Sequence, residues 1–68
     1  MSGQQILSNY RHYLKNAVVE LQILCAQNER SKLSDHDLLE RVEDISERII
    51  SETEAVREAA IDGPSSQH

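Results

Sequence analysis

The stretch QNERSKLSDHDLLERVEDI, residues 27–45, contains the end of one predicted helix and the start of a second. Its first six residues include no apolar side chain and are rich in turn-compatible types, which predicts a break between helices. Ser34 is suited to cap the next helix, with Asp37 at the third helical position. Leu33 and Leu38 occupy the two positions of a hydrophobic staple that sets the direction in which the chain enters the helix. The stretch therefore predicts a helix, a short turn and a second helix.

The sequence before this turn predicts a long amphipathic helix over residues 3–28, with Ser2 as its cap. Apolar residues recur at alternating steps of three and four, which is a heptad pattern. They are Leu7, Tyr10, Leu14, Ala17, Leu21 and Leu24. Further apolar residues widen this stripe beyond a narrow two-stranded seam, as expected for a helix in a bundle. These flanking residues are Ile6, Tyr13, Val18 and Cys25.

The sequence after the turn predicts a second helix over about residues 35–61. Glu52 interrupts its stripe, and the flank consists of Leu39, Thr53 and Ala60. The stripe consists of Leu38, Val42, Ile45, Ile49, Val56 and Ala59. Acid-to-base spacings of four residues predict the ion pairs Asp37–Arg41 and Asp44–Arg48 on the exposed face. Gly63 followed by Pro64 predicts the end of the helix, and residues 63–68 are expected to be a disordered tail.

Two helices of matched length joined by a short turn predict an all-α fold, an antiparallel two-helix hairpin in one domain over residues 1–62. Residues 1–32 carry four cations against two acids, a balance of +2, and residues 33–68 carry three cations against ten acids, a balance of −7. Opposite signs favour laying the two halves against each other. A single hairpin covers only one side of each wide stripe, so we expect dimerisation into a four-helix bundle.

The composition excludes several other ways of stabilising a chain of 68 residues. Cys25 is the only cysteine, which excludes an intrachain disulfide, and the histidines His12, His36 and His68 are too scattered for a structural zinc site. No apolar run is long enough for a membrane span and no export signal is present, so we expect a reducing cytoplasmic location without membrane contact.

The sequence predicts no enzymatic activity, cofactor or metal. No motif of a known catalytic site is present, and one hairpin offers no deep pocket. Asp35, His36 and Asp37 resemble a metal or acid–base cluster, but consecutive residues on a helix point about 100° apart and do not converge on one ion. We interpret Cys25 as a small buried apolar residue; a redox-sensing thiol and a disulfide across a dimer axis are the alternatives.

Two sets of residues are predicted to contact other protein chains. The first comprises aromatic and aliphatic residues expected at a dimer or target interface. It consists of Tyr10, Tyr13, Leu14, Val19, Ile23, Ile49 and Ile50. The second is an acidic surface that is either a solvated helix face or a docking surface for a basic partner. It consists of Glu40, Glu43, Asp44 and Glu47.

These features predict a small non-enzymatic regulator or adaptor, of inhibitor or chaperone type, that acts through its helical surfaces. Its expected partners are a second copy of itself in a homodimer and an unidentified target protein. A structural subunit of a larger coiled-coil or bundle assembly is one alternative. The other is an acidic nucleic-acid mimic or a weak nucleic-acid-binding regulator. The net charge of −5 argues against direct nucleic-acid binding.

Overall fold

In a computed structural model, which describes residues 3–61, the chain forms two helices that pack against each other. α1 spans Gly3–Glu29, and α2 spans Asp35–Val56 and continues into a π-helical segment over Arg57–Ile61. No strand is present among these residues. The predicted all-α helical hairpin is confirmed. The expected cap at Ser2, the stop at Gly63 and the disordered tail over 63–68 lie outside the described residues.

Contacts at both ends of the hairpin establish that the helices are antiparallel. Near the start of α1, the Tyr10 hydroxyl forms a hydrogen bond with Thr53 Oγ1. At the other end, Asn28 Nδ2 donates to Asp35 Oδ1 over 2.8 Å, and also to the carbonyl oxygen of Leu33 over 2.9 Å. The start of α1 therefore lies beside the end of α2, as the short connection between the helices requires.

The core lies along the seam, the line of residues through which α1 and α2 pack on each other. Its buried members are Ala17, Leu24 and Ile45, of which Ile45 is the least exposed at 3%. The partly buried residues packed against them are Leu21, Leu33, Leu38 and Ile49. All seven belong to the predicted stripes or to the predicted staple, because helical periodicity brings them onto one face of each helix.

One predicted position of the α2 stripe is wrong. Thr53, which was placed on the flank, is half-buried, whereas Glu52 is exposed. The hydroxyl of Thr53 contacts Tyr10 and lies 2.7 Å from the carbonyl oxygen of Ile49. Because 3.6 residues make one turn, consecutive steps of four from Ile45 to Ile49 to Thr53 keep the stripe on the seam. Thr53 therefore fills the position at which Glu52 was expected to interrupt it.

The start of α2 agrees with the predicted cap. Ser34 has an extended backbone with φ −70° and ψ 160°, and its Oγ accepts a hydrogen bond from the backbone N–H of Asp37 over 3.1 Å. Asp35 and Asp37 lie in the first turn, where negative charge is favoured by the helix dipole. The cap at Ser34 is therefore confirmed.

α1 ends in a Schellman motif that was not predicted. The N–H of Lys32 donates to the carbonyl of Gln27 over 2.8 Å, and the N–H of Ser31 donates to the carbonyl of Asn28 over 3.0 Å. This pair of hydrogen bonds requires a left-handed residue after the helix, and Ser31 has φ 63°. Glycine is the usual residue at this position because it has no Cβ. Since serine stands there instead, the sequence lacks the glycine by which such a helix end is usually recognised.

Ser31→Gly should therefore stabilise the protein. Relief of the left-handed strain at a serine is expected to raise the free energy of unfolding by about 1 kcal/mol, offset in part by the greater freedom of glycine in the unfolded chain. Thermal unfolding followed by circular dichroism at a fixed protein concentration measures the change. Ser31→Val is the matched control and should lower the melting temperature, and a Ser31→Gly variant that is less stable than wild type would contradict the assignment.

The hairpin is a single layer of two helices. The accessible surface is 5340 Å², whereas a compact monomer of this mass exposes about 4,300 Å². One layer shields only the seam, so the remaining surface of both helices faces outwards.

Candidate protein-interaction surfaces

Five large apolar side chains are exposed, with between 51% and 68% of their surface accessible. They are Val18, Val19, Ile23, Leu39 and Ile50. Val19, Ile23 and Ile50 were predicted as contact residues, whereas Val18 and Leu39 were interpreted as flanks of the helical stripes. Val18 directly follows Ala17 and Leu39 directly follows Leu38, and both preceding residues lie on the seam. A residue directly after a seam residue points away from it, and this position could have identified both as exposed.

The other predicted contact residues lie closer to the seam. Tyr10, Tyr13, Leu14 and Ile49 are all half-buried. Ile49 packs against the core cluster, and the Tyr10 hydroxyl is engaged by Thr53. The structure therefore places these four residues beside the intramolecular seam and apart from the exposed apolar group.

The two broad sides of the hairpin differ in chemistry. Residues directly after a seam residue point about 100° round the helix in one sense, and those directly before it point in the other. Those before it form a charged side, which comprises Glu20, Asp37, Arg41, Asp44 and Arg48, together with Asn16 and Ile23. Those after it form an apolar side, which comprises Val18, Gln22, Cys25, Leu39, Ser46 and Ile50, with Glu43 at its edge. At the end remote from the connecting turn, the residues after Tyr10, Leu14 and Thr53 are charged, and they are Arg11, Lys15 and Glu54.

An ion pair between the helices fixes which residues share a side. Arg48 Nη2 lies 3.8 Å from Glu20 Oε2, and these residues directly precede Ile49 and Leu21 on the seam. The residues that precede the seam therefore lie together on one side, and those that follow it lie together on the other. Both partners of this ion pair are more than half exposed, so it contributes only tenths of a kcal/mol.

The two ion pairs predicted within α2 are wrong. Arg48 contacts Glu20 of α1 instead of Asp44, and neither Asp37–Arg41 nor Asp44–Arg48 is formed in the part of the chain that the structure describes. The four-residue spacing places the two residues on one face of the helix, but their long side chains can also reach partners on a neighbouring helix. Arg48 takes the cross-helix partner because the antiparallel packing brings Glu20 beside it.

The predicted acidic surface is formed as an exposed stripe along α2. Glu40, Glu43, Asp44 and Glu47 all face solvent. A shallow open depression of about 440 Å³ borders it, lined by Asp44, Glu47, Arg48 and Ser51. All four lining residues are exposed, so the depression lacks the enclosed apolar wall of a typical small-molecule site.

One group of possible metal ligands is found among residues 3–61. Donor atoms of His36, Asp37 and Glu40 all lie within 4.8 Å of one another, and His36 Nε2 is 3.2 Å from Glu40 Oε2. Asp35, the third member of the cluster considered from sequence, instead accepts a hydrogen bond from Asn28. His36, Asp37 and Glu40 are all exposed, so water competes for any ion. The group is adequately described as a side-chain contact between His36 and Glu40 beside an acidic residue in the first turn of α2.

Cys25 is exposed, which corrects the prediction that it is a small buried apolar residue. It directly follows Leu24, which occupies the buried position on the seam. In a single-layer hairpin the next residue round the helix has no second layer above it, so the thiol faces outwards. Cys25 thus belongs to the apolar side.

A further surface is a row of residues along the outside of α1, which is centred on Val19 and includes Ile23 from the charged side. Its members recur at helical spacing and are all exposed. They are His12, Lys15, Val19, Ile23 and Arg30. The row has apolar side chains in its middle and basic or titratable side chains towards both ends, and we refer to it as the outer row of α1.

Comparison with known proteins gives no assignment, because no family model, no curated protein and no solved structure matches this chain. Neither helix in residues 3–61 combines the length and the hydrophobicity that crossing a bilayer demands. The functional proposal is therefore based on the apolar side, the acidic stripe of α2 and the outer row of α1.

Proposed function

We propose that this chain is a small non-enzymatic regulator or adaptor, of inhibitor or chaperone type, that binds a target protein through its helical surfaces. It acts as a homodimer in the cytoplasm. The proposal concerns binding alone and assigns no cofactor to the chain.

The observation that carries this proposal is the imbalance between exposed and buried apolar residues. Three apolar residues are buried in the core, whereas five large ones are more than half exposed. Isolated exposed apolar residues are normal on protein surfaces, but contiguous groups of them are typical of interaction sites. Here they are concentrated on the apolar side and on the outer row of α1.

The outer row of α1 is the proposed target-binding surface. Val19 and Ile23 are one helical turn apart and have 51% and 53% of their surface exposed. Lys15 and Arg30 flank them along the row. A complementary target offers a hydrophobic groove with acidic residues at its ends, which matches the way amphipathic helices are recognised.

Affinity capture from the native host, followed by mass spectrometry, tests this proposal. The wild-type chain is compared with Val19→Glu/Ile23→Glu, which places two charges on the outer row without touching the seam. We expect a target retained by wild type to be reduced at least about tenfold with the variant, because truncated or charged anchor residues dominate interface energy. Ser51→Glu/Ala55→Glu, at two exposed positions of α2, is the matched control and should retain the target. Equal recovery with all three proteins would refute the outer row as the binding surface.

The structural-subunit alternative predicts a different behaviour of the isolated chain. In a structural subunit, neighbouring subunits bury the apolar surfaces. The chain should therefore be poorly helical or aggregated when it is purified alone, because its apolar surfaces lack their native partner. Circular dichroism and sedimentation decide between the two. A helical, monodisperse dimer at micromolar concentration favours the regulator.

The acidic stripe on α2 supports a second alternative, a mimic of nucleic acid that occupies a basic groove. In that case the captured target should be a nucleic-acid-binding protein, and substitution of Glu40, Glu43 and Glu47 by Gln should release it while the outer-row variant retains it. For direct nucleic-acid binding, retardation of a duplex at low salt that disappears as salt rises is the expected sign.

A further inference from the structure

We infer that the apolar side of the hairpin is covered by a second copy of this chain, in a four-helix bundle whose two-fold axis runs along the helices. This inference rests on the proposed homodimer and specifies its interface and symmetry. In this arrangement α1 of each copy packs on α2 of the other, and both connecting turns lie at the same end of the bundle.

The choice of the apolar side follows from the residues that follow the seam. Leu39 and Ile50 are 68% and 58% exposed, and Val18 is 51% exposed. Between them lie the small or uncharged side chains of Gln22, Cys25 and Ser46, with Glu43 at the edge. The opposite side carries five charged residues and one large exposed apolar residue, Ile23, so stacking two hairpins by that side would desolvate mainly charges in place of apolar groups.

The size of the exposed surface matches what a stable dimer needs. The accessible surface of 5340 Å² exceeds the about 4,300 Å² expected of a compact monomer by about 1,000 Å². A standard protein–protein interface removes about 800 Å² from each partner. The chain therefore exposes enough surface for one partner's share of such an interface, and the positions of the apolar residues, not the area, indicate the side.

Charge selects between the two possible axes. When two hairpins stack by the same side, an axis across the helices places α2 on α2, whereas an axis along the helices places α1 on α2. Residues 33–68 carry −7 and residues 1–32 carry +2. The first arrangement brings the two acidic α2 helices into contact. The second places them diagonally across the bundle, so that each α2 has an α1 helix on either side. Like charges brought together across an interface are disfavoured, so the axis along the helices is preferred.

The same geometry brings complementary residues together. An axis along the helices keeps each residue at its own height in the bundle. The contacts between Tyr10 and Thr53 and between Asn28 and Asp35 set which residues of α1 and α2 share a height. On that register, Cys25 of one copy lies near Leu39 of the other. Val18 is level with Ile45 and lies near Ser46, and Ile50 is about 7 Å further along the bundle. Leu39 and Val18 are thus placed beside small or uncharged side chains of the other copy.

The position of the turns distinguishes the two axes by experiment. Lys32 is exposed in the turn, so a spin label on Lys32→Cys in a Cys25→Ala background reports the distance between the two turns by pulsed electron paramagnetic resonance. With the axis along the helices, both labels are at one end and separated by about one to two helix diameters, roughly 10–25 Å. With the axis across them, the labels are at opposite ends, about 40 Å apart.

Substitutions on the apolar side test the interface itself. Leu39→Glu/Ile50→Glu should raise the dimer dissociation constant by about 100-fold or more, because two charges per copy would be buried without partners. Ser51→Glu/Ala55→Glu adds the same charge at exposed positions away from the apolar side and should change the constant by less than about threefold. Sedimentation equilibrium measures both, and circular dichroism checks that the variants remain helical.

The possible outcomes separate this inference from the proposed function. A dimer with turns at one end, weakened by Leu39→Glu/Ile50→Glu and not by the control, supports the inference. A label distance near 40 Å, or equal dissociation constants for the two double variants, overturns it and leaves the homodimer in place. A monomer of 7.7 kDa at millimolar concentration overturns both the inference and the homodimer, while target binding through Val19 and Ile23 is judged separately by the capture experiment.

Discussion

Ile45→Asp should unfold the hairpin. Ile45 is the most deeply buried core residue, with 3% of its surface exposed, and it packs in the cluster with Ala17 and Leu24. A carboxylate there loses its hydration without gaining a partner, at a cost of several kcal/mol. Because a domain of this size has a stability of only about 3–5 kcal/mol, the substitution removes most or all of it. The expected result is loss of the helical circular dichroism signal at 25 °C.

Ser51→Asp is the matched control for Ile45→Asp. It introduces the same charge into the same helix, at an exposed position. We expect its melting temperature to remain within a few degrees of wild type, because surface substitutions usually change stability by no more than about 0.5 kcal/mol. Equal stability of Ile45→Asp and wild type would show that the seam does not pass through Ile45.

Leu24→Ala should cost about 2–5 kcal/mol of stability, as expected for removing most of a buried leucine. Leu24 is 5% exposed and lies in the same cluster as Ile45. The neighbouring substitution Cys25→Ala removes only one sulfur atom from an exposed side chain, and we expect it to cost less than about 1 kcal/mol. Denaturant unfolding of the two variants, at one protein concentration at which the chain is monomeric, measures the difference.

The comparison of these neighbours is a direct test of the burial of Cys25. If the thiol were buried in the seam, as its place beside the heptad stripe suggests, both substitutions would destabilise the protein substantially. A large effect of Cys25→Ala in the monomer would therefore restore the original interpretation. A small effect, combined with fast reaction of the thiol with a maleimide under conditions in which the chain is monomeric, agrees with the exposed position.

The features that were predictable from sequence are those that local physics determines. The seam residues Leu24 and Ile45 follow from helical periodicity, because only one face of each helix can be shielded by a single neighbour. The cap at Ser34 follows from the need of the first backbone N–H groups for acceptors. Val19, Ile23 and Ile50 were expected to be available for contact because they fall off the main stripes, and all three are exposed.

The features that were missed depend on how elements meet or on an uncommon residue choice. Arg48 pairs with Glu20 because the register of the two helices places them together, and a spacing rule for one helix contains no such information. The exposure of Cys25 depends on the number of helical layers. Ser31 occupies a position that normally selects glycine, so the motif that closes α1 left no recognisable signature. The candidate interaction surfaces were predictable only as a set of residues and not as separate sides of the hairpin.

The five-residue connection between the helices has a consequence for the order of events in the cell. Helices that pair with their neighbour in sequence fold in microseconds to milliseconds, since little chain entropy is lost in closing so small a loop. Encounter between two chains depends on their concentration and becomes the slow step when they are dilute. If the chain acts as the proposed dimer, the amount of protein synthesised then determines how soon the dimer forms. The expression level would thus control when the protein becomes active.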